Sequence, residues 1–213
     1  MMIKAIFFDL DGTINDAKWL AHFSLVKTLE YFNLKYDDKK TYEALGNKMP
    51  GILKVLDIKF DVNKFRKKFL EYFVEGAKEG AIKRCGNLRP LWKLSKKYPM
   101  TVISNSQIEF IKVSIDRLNL HGMFKEFYGG EAFDTKDKFL KKMFRKMKIK
   151  PSEAVYVGDR FSDVRYAKKA KCIAIAIHNK YSWSSREQIE KENPDYIIKN
   201  FFQLRKLIKK INS

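Results

Sequence analysis

Residues 3–13 read Ile3-Lys4-Ala5-Ile6-Phe7-Phe8-Asp9-Leu10-Asp11-Gly12-Thr13. A short apolar run reaches Phe8 and then ends abruptly in two carboxylates, a glycine and a threonine. Such a run marks a strand buried on both faces, as in a parallel sheet covered by helices. Ligands of these sheets bind beyond the carboxyl ends of the strands, so the polar residues that follow apolar runs carry the interest. Carboxylates at i and i+2 leave a strand end on the same side, and Gly12 permits a sharp turn or a close backbone approach. One of them can attack phosphorus and form an aspartyl-phosphate. The other can protonate a leaving alkoxide and then deprotonate water. Two adjacent anions do not readily face an anionic phosphate unaided, and Mg²⁺, which takes carboxylate, carbonyl and phosphate oxygens, answers that problem. A bare D-x-D also occurs as a turn with helix-capping aspartates, but the strand before it and the Gly-Thr after it count against that reading.

Outward from this stretch, the chain divides by character. Nothing strand-like is expected between about Asn15 and Ile82. A helix is predicted over Ala17 to Phe32, with one apolar stripe through Leu25, Leu29 and Phe32 and another through Trp19, Phe23 and Val26. Trp19 and the Phe-rich stretch from Phe65 to Phe73 read as packing. Pro50 and Gly51 are expected to break the helical pattern, and Asn63 to cap the helix that carries Phe65, Phe69, Tyr72 and Phe73. After Gly86, helices and strands alternate. The predicted strands are Met100 to Ile103, Phe127 to Tyr128, Ala154 to Val157, Cys172 to Ile177 and Tyr196 to Ile198. The predicted helices are Leu88 to Lys97, Ile108 to Leu118, Asp137 to Met147, Ser162 to Lys171 and Phe201 to Ile211. Alternation implies an α/β fold, a Rossmann-like parallel sheet with helices on both faces. Residues 1–14 and 86–213 form this core, and residues 15–85 form an inserted α-helical domain. Asp9, Ser104 and Asp159 each stand just after a strand.

Composition narrows the class. Hydrophobic residues make up 45% and aromatics 14% of the 213 residues, which is ample for a packed core and excludes a disordered chain. No apolar stretch approaches the ~18 residues of a membrane span, and the first apolar run leads into acidic residues instead of a cleavage site. A cytoplasmic protein is the expectation. Cys85 and Cys172 stand apart from each other and from any histidine cluster, so both read as reduced and structural. His22, His121 and His178 lack metal-like spacing. The net charge of +19 raises the question of nucleic acid. The lysines lie on nearly every helix without a recognised nucleic-acid motif, so solvated helix faces are expected; the same field would draw in anionic substrates.

D-L-D-G-T-I at residues 9–14 resembles the first motif of the haloacid dehalogenase superfamily. V-I-S-N-S at 102–106 resembles the second, D-T-K-D-K-F-L at 134–140 the third, and V-Y-V-G-D-R-F-S-D-V at 155–164 the fourth. Order and spacing both agree, over essentially the whole chain. The resemblance implies that Asp9 is the nucleophile and also a Mg²⁺ ligand, and that Asp11 is the acid/base and a ligand through its backbone carbonyl. It implies that Ser104 and the N–H of Asn105 hold the phosphoryl group. Asp159 would be a further metal ligand, and Asp163 another, direct or through water. A lysine stabilises phosphate charge in the third motif: Lys136 is preferred by its place at the loop-to-helix junction, with Lys138 second. The helical insertion resembles the mobile cap of the phosphoglycolate phosphatase and phosphomutase branches. By that analogy Lys48, in the loop from Gly46 to Gly51, could meet an anionic leaving group or stand in solvent. The expected activity is Mg²⁺-dependent hydrolysis of a small phosphate monoester by a monomer or homodimer. Alternatives are phosphoryl transfer between sugar hydroxyls, carbon–halogen cleavage (against which Asp11 argues) and non-enzymatic nucleic-acid binding.

Overall fold

The computed structural model describes residues 2–213. In chain order the elements are β1 (Ala5–Phe8), β2 (Asn15–Asp16), α1 (Lys18–Tyr31), α2 (Asp38–Ala44), α3 (Met49–Val55), α4 (Val62–Lys78), β3 (Lys83–Arg84), α5 (Arg89–Ser95), β4 (Met100–Ile103), α6 (Ile108–Leu118), β5 (Glu126–Tyr128), α7 (Lys136–Lys146), β6 (Ala154–Gly158), α8 (Phe161–Ala170), β7 (Ile173–Ile177), α9 (Arg186–Glu190), β8 (Tyr196–Ile198) and α10 (Phe201–Asn212).

Six strands form one parallel sheet in the order β5-β4-β1-β6-β7-β8. β1 sits centrally because both of its faces are apolar. Ile6 and Phe8 enter one core with Leu91, Ile111 and Leu204, so α5, α6 and α10 cover that face. Ala5 and Phe7 enter the other core with Leu140, Phe144 and Val164, from α7 and α8. β6 and β7 repeat the alternation, with Val155, Val157, Ile175 and Ile177 on the first face and Tyr156, Ala174 and Ala176 on the second. Side chains of period two thus face two separate hydrophobic layers. The chain leaves β1 for β4 on one side and reaches β6 on the other, so the crevice between their carboxyl ends is the switch point where such sheets bind ligands.

Helices α1 to α4 pack as a block. The spacing of Phe65, Phe69, Phe73 and Ala77 puts all four on one face of α4, and all four are buried. Phe73 stacks on Phe110 of α6 with ring centroids 3.4 Å apart, which joins this block to the core beneath the sheet. Among the described residues, no helix is long and apolar enough to cross a membrane.

Several local expectations give way. The stretch thought free of strands is bounded by a two-residue antiparallel ribbon, with Asn15 opposite Arg84 and Asp16 opposite Lys83. Pro50 and Gly51 do not break a helix; they lie in the first turn of α3, where a missing N–H costs nothing. The cap of α4 is Asp61, whose carboxylate accepts from the Lys64 N–H at 2.7 Å, so Asn63 falls inside the helix. Only the Leu25 and Leu29 stripe of α1 is fully buried. Trp19 is 64% exposed and stacks on Phe23 at the surface instead. The basic charge is less even than the sequence suggests. Residues 86–108 and 196–213 contain no acid, and α5 and α10 pack together. Lys93, Lys96, Lys97, Arg205, Lys206 and Lys209 therefore line one groove.

Candidate active site

The strand ends deliver their polar residues to one place. β1 releases Asp9, β4 releases Ser104 and β6 releases Asp159, while the first turn of α8 brings Asp163 and the first residue of α7 is Lys136. All five are buried. Gly158 allows the convergence, since a Cβ there would lie 2.5 Å from the Asp163 side chain. Gly12, at φ +78°, is tucked against the side chains of Asp159 and Trp183 and holds a conformation that costs other residues strain.

Lys136 stands at the centre. Its ammonium donates to Asp9 Oδ1 at 2.8 Å and to Asp163 Oδ1 at 2.8 Å, and lies 5.5 Å from the centroid of the Tyr156 ring. Tyr156 donates to the Ile103 carbonyl and reaches Asp163 Oδ1 at 3.3 Å. Lys138 is elsewhere, exposed and paired with Asp134. Asp159 is held on both oxygens, by the Thr13 hydroxyl at 2.9 Å and by the Trp183 backbone N–H at 2.7 Å. Asp163 Oδ2 accepts from the Arg160 N–H at 3.1 Å, which fixes the start of α8.

Asp11 turns toward a different set of neighbours. Its Oδ2 accepts from the Ser106 hydroxyl at 2.6 Å and from the Ser104 hydroxyl at 3.4 Å, while its Oδ1 is buried without a partner. The Asn105 side chain donates to the Gly46 carbonyl at 3.0 Å, tying the end of β4 to the loop before α3. Lys48 does not face the carboxylates. It donates to the carbonyls of Phe133 and Asp134 and lies 4.3 Å over the Phe133 ring. A small cavity covers Asp9 and Asp11 and is closed by Ser106, Arg160, Ser162 and Trp183. Ser106, Arg160 and Ser162 lie inside the second and fourth motif stretches but had no role assigned to them, and Trp183 lies outside all four. Ser106 was within reach of sequence reasoning, as the second hydroxyl of S-N-S. Trp183, in a loop beyond β7, gave no signal.

Burial raises the carboxyl of Asp9 to about 7, with the Asp163 charge adding to it and Lys136 opposing. Burial also raises Asp11, against the hydrogen bonds of Ser106 and Ser104. Asp159 is raised well above the carboxylate range by burial and then by Asp9 and Asp163. For Lys136, burial pulls downward, but Asp163 and Asp9 outweigh it and keep the ammonium charged. Asp9, Asp159 and Asp163 each offer an oxygen within 4.8 Å of the others. Three hard carboxylate donors with one ammonium among them suit a divalent cation such as Mg²⁺, which would relieve the repulsion that raises Asp9 and Asp159.

The sequence pattern of the haloacid dehalogenase-like hydrolases matches residues 6–177. Phosphoglycolate phosphatase of Aquifex aeolicus is 32% identical over 184 residues, covering 79% of this chain and 81% of that protein. Phosphoglycolate phosphatase of Vibrio parahaemolyticus is 24% identical, over 97% of this chain and 96% of its own. In fold, the chain is similar to the crystal structure of a predicted phosphoglycolate phosphatase from Haemophilus somnus. That likeness has a TM-score of 0.83 at 18% identity and covers 97% of this chain and 98% of the other.

Proposed function

This chain belongs to the haloacid dehalogenase-like hydrolase family, and from that premise we propose that it hydrolyses a small phosphate monoester through a phosphorylated Asp9. The observation that carries the reading is the pairing of two carboxylates in different settings. Asp9 is paired with the Lys136 ammonium, whereas Asp11 accepts from the Ser106 and Ser104 hydroxyls; burial raises the carboxyl of both. Two neighbouring acids in unlike environments are suited to divide nucleophile and acid roles.

Asp9 attacks phosphorus, forming a bond from its carboxylate oxygen as the bond to the ester oxygen breaks. Asp11, protonated at the outset, gives its proton to the departing alkoxide. In the second half, Asp11 takes a proton from water, whose oxygen attacks phosphorus and releases phosphate and free Asp9. The Ser104 hydroxyl, the Asn105 N–H and the Lys136 ammonium hold the phosphoryl oxygens as charge shifts onto them. Asp9, Asp159, Asp163 and the Asp11 carbonyl would hold Mg²⁺, which when bound supplies positive charge against the carboxylates and the phosphate. Residues 15–85 act as a cap that excludes bulk water. The β2–β3 ribbon is the place where this segment leaves and rejoins the core, and the Asn105–Gly46 and Lys48 contacts hold the two together.

The test is phosphate release from a panel of small phosphate esters, with phosphoglycolate included, in Mg²⁺ and in EDTA. Release that needs Mg²⁺ and is abolished by Asp9→Asn is the expected result. Release that survives Asp9→Asn would refute the nucleophile assignment. A phosphoryl group moved to a second sugar hydroxyl instead of water would mark the mutase reading.

A further inference from the structure

The carboxylates act on phosphate and say nothing of what the phosphate is attached to. A second cavity answers that. It adjoins the one over Asp9 and shares Gly46, Asn105, Ser106 and Trp183 with it. Its walls are mainly apolar: Met49 and Ile52 from α3, Phe69 from α4, Phe110 from α6 and the Trp183 ring. The polar side chains it adds beyond the shared ones are Asn47 and Gln107, both neutral, and no Lys, Arg, His, Asp or Glu lines it. Two of the cations nearby are engaged elsewhere. Lys136 lies between Asp9 and Asp163, and Lys48 caps the carbonyls of Phe133 and Asp134. Arg160 lines the first cavity but not the second, its guanidinium standing against Gly46 at the boundary of the two.

A carboxylate on the leaving group would lose its water there without meeting a counter-charge, which is strongly unfavourable. A neutral hydroxyl or carbonyl would meet the amides of Asn47 and Gln107. The cavity is about 50 Å³. A water needs roughly 10–15 Å³, so the space suits a leaving group of about four non-hydrogen atoms. Resting on the phosphatase reading, we propose that the substrate is the phosphate ester of a short, uncharged alcohol bearing a hydroxyl or carbonyl group. Esters whose leaving group carries a carboxylate are discriminated against.

The experiment compares kcat/KM in Mg²⁺ for dihydroxyacetone phosphate and glycerol 3-phosphate with that for 2-phosphoglycolate and 3-phosphoglycerate. Acetyl phosphate serves as a small reporter of the chemistry. The neutral pair should lead by on the order of 100-fold or more. Gln107→Arg, or Asn47→Arg should the first fail to fold, places a cation in the cavity and should narrow that ratio at least tenfold. Phosphoglycolate equal to or better than the neutral esters would overturn the substrate class and leave the phosphatase standing. An unchanged ratio in both folded variants would overturn the cavity as its seat. No release from any compound, acetyl phosphate included, would overturn the phosphatase reading and the substrate class with it.

Discussion

Replacing Lys136 with Met removes the only ammonium among the described residues that touches the carboxylate cluster, while a side chain of similar length keeps the space filled. Both of its ion pairs are 2.8 Å long and nearly solvent-free. Removing one partner of a buried ion pair costs about 3–5 kcal/mol, and each kcal/mol moves the melting temperature of a chain this size by about 2–4 °C. The metal-free variant should therefore melt roughly 6–20 °C below the native protein at pH 8. The cost should depend on pH. Asp9 titrates at about 7 even with Lys136 beside it, and loss of the ammonium raises it further. A carboxyl whose folded value lies above its unfolded one makes the folded state bind the extra proton. Its stability then falls as pH climbs through the window between the two values. Below its folded value Asp9 is neutral and needs no cation, so at pH 5, inside that window, the penalty should at least halve. Thermal or urea unfolding in chelator at pH 5 and pH 8 measures this, with Lys138→Met as the comparison. Lys138 is 71% exposed in its side chain, and its loss should leave the melting temperature essentially unchanged. A penalty independent of pH, or one matched by Lys138→Met, would refute the charge argument.

Other outcomes follow from the same geometry. Mg²⁺ must displace the protons that burial and mutual repulsion favour on Asp9 and Asp159, so its apparent affinity should rise as pH climbs from 5 through 7; calorimetry in two buffers of different ionisation heat would show the released protons, and a flat profile would count against it. Asp11→Asn should lower kcat by about 10²–10⁴-fold, yet leave the protein at least as stable as native at pH 8, because burial of an ionised Asp11 opposes folding there; melting curves and steady-state rates read both. Lys48→Met should cost only about 1 kcal/mol but speed hydrogen exchange in residues 130–135, where Lys48 now caps the carbonyls of Phe133 and Asp134; unchanged exchange would show that the contact does not hold the loop.

The core strands were legible because each alternates between two apolar layers and ends in a polar residue, a pattern that survives without tertiary information. Met100–Ile103, Ile108–Leu118 and Tyr196–Ile198 stand where the periodicity puts them. The helical block was legible in kind but not in detail. Proline reads as a breaker, yet at the start of α3 it is at home. Asp61 and Asn63 are both capping residues two positions apart, and only the observed bond to Lys64 separates them. A ribbon of two residues per strand is too short to show any period. Lys136 was preferred to Lys138 in the sequence by its place at the loop-to-helix junction, and in the fold Lys136 faces the buried acids while Lys138 faces solvent. Ser106, Arg160 and Trp183 needed the fold. Trp183 acts on Asp159 through its backbone N–H, which no side-chain pattern can announce.

The most direct test of the account is to catch the phosphorylated enzyme. Native protein and the Asp9→Asn and Asp11→Asn variants would be mixed with Mg²⁺ and a turned-over ester, quenched in acid within milliseconds, and analysed by intact mass and peptide mapping. The account predicts one phosphoryl group on Asp9 in the native protein, none in Asp9→Asn, and a longer-lived adduct in Asp11→Asn, where the base for hydrolysis is gone. Steady release of phosphate with no adduct, or an adduct on Ser104 instead of Asp9, would contradict it.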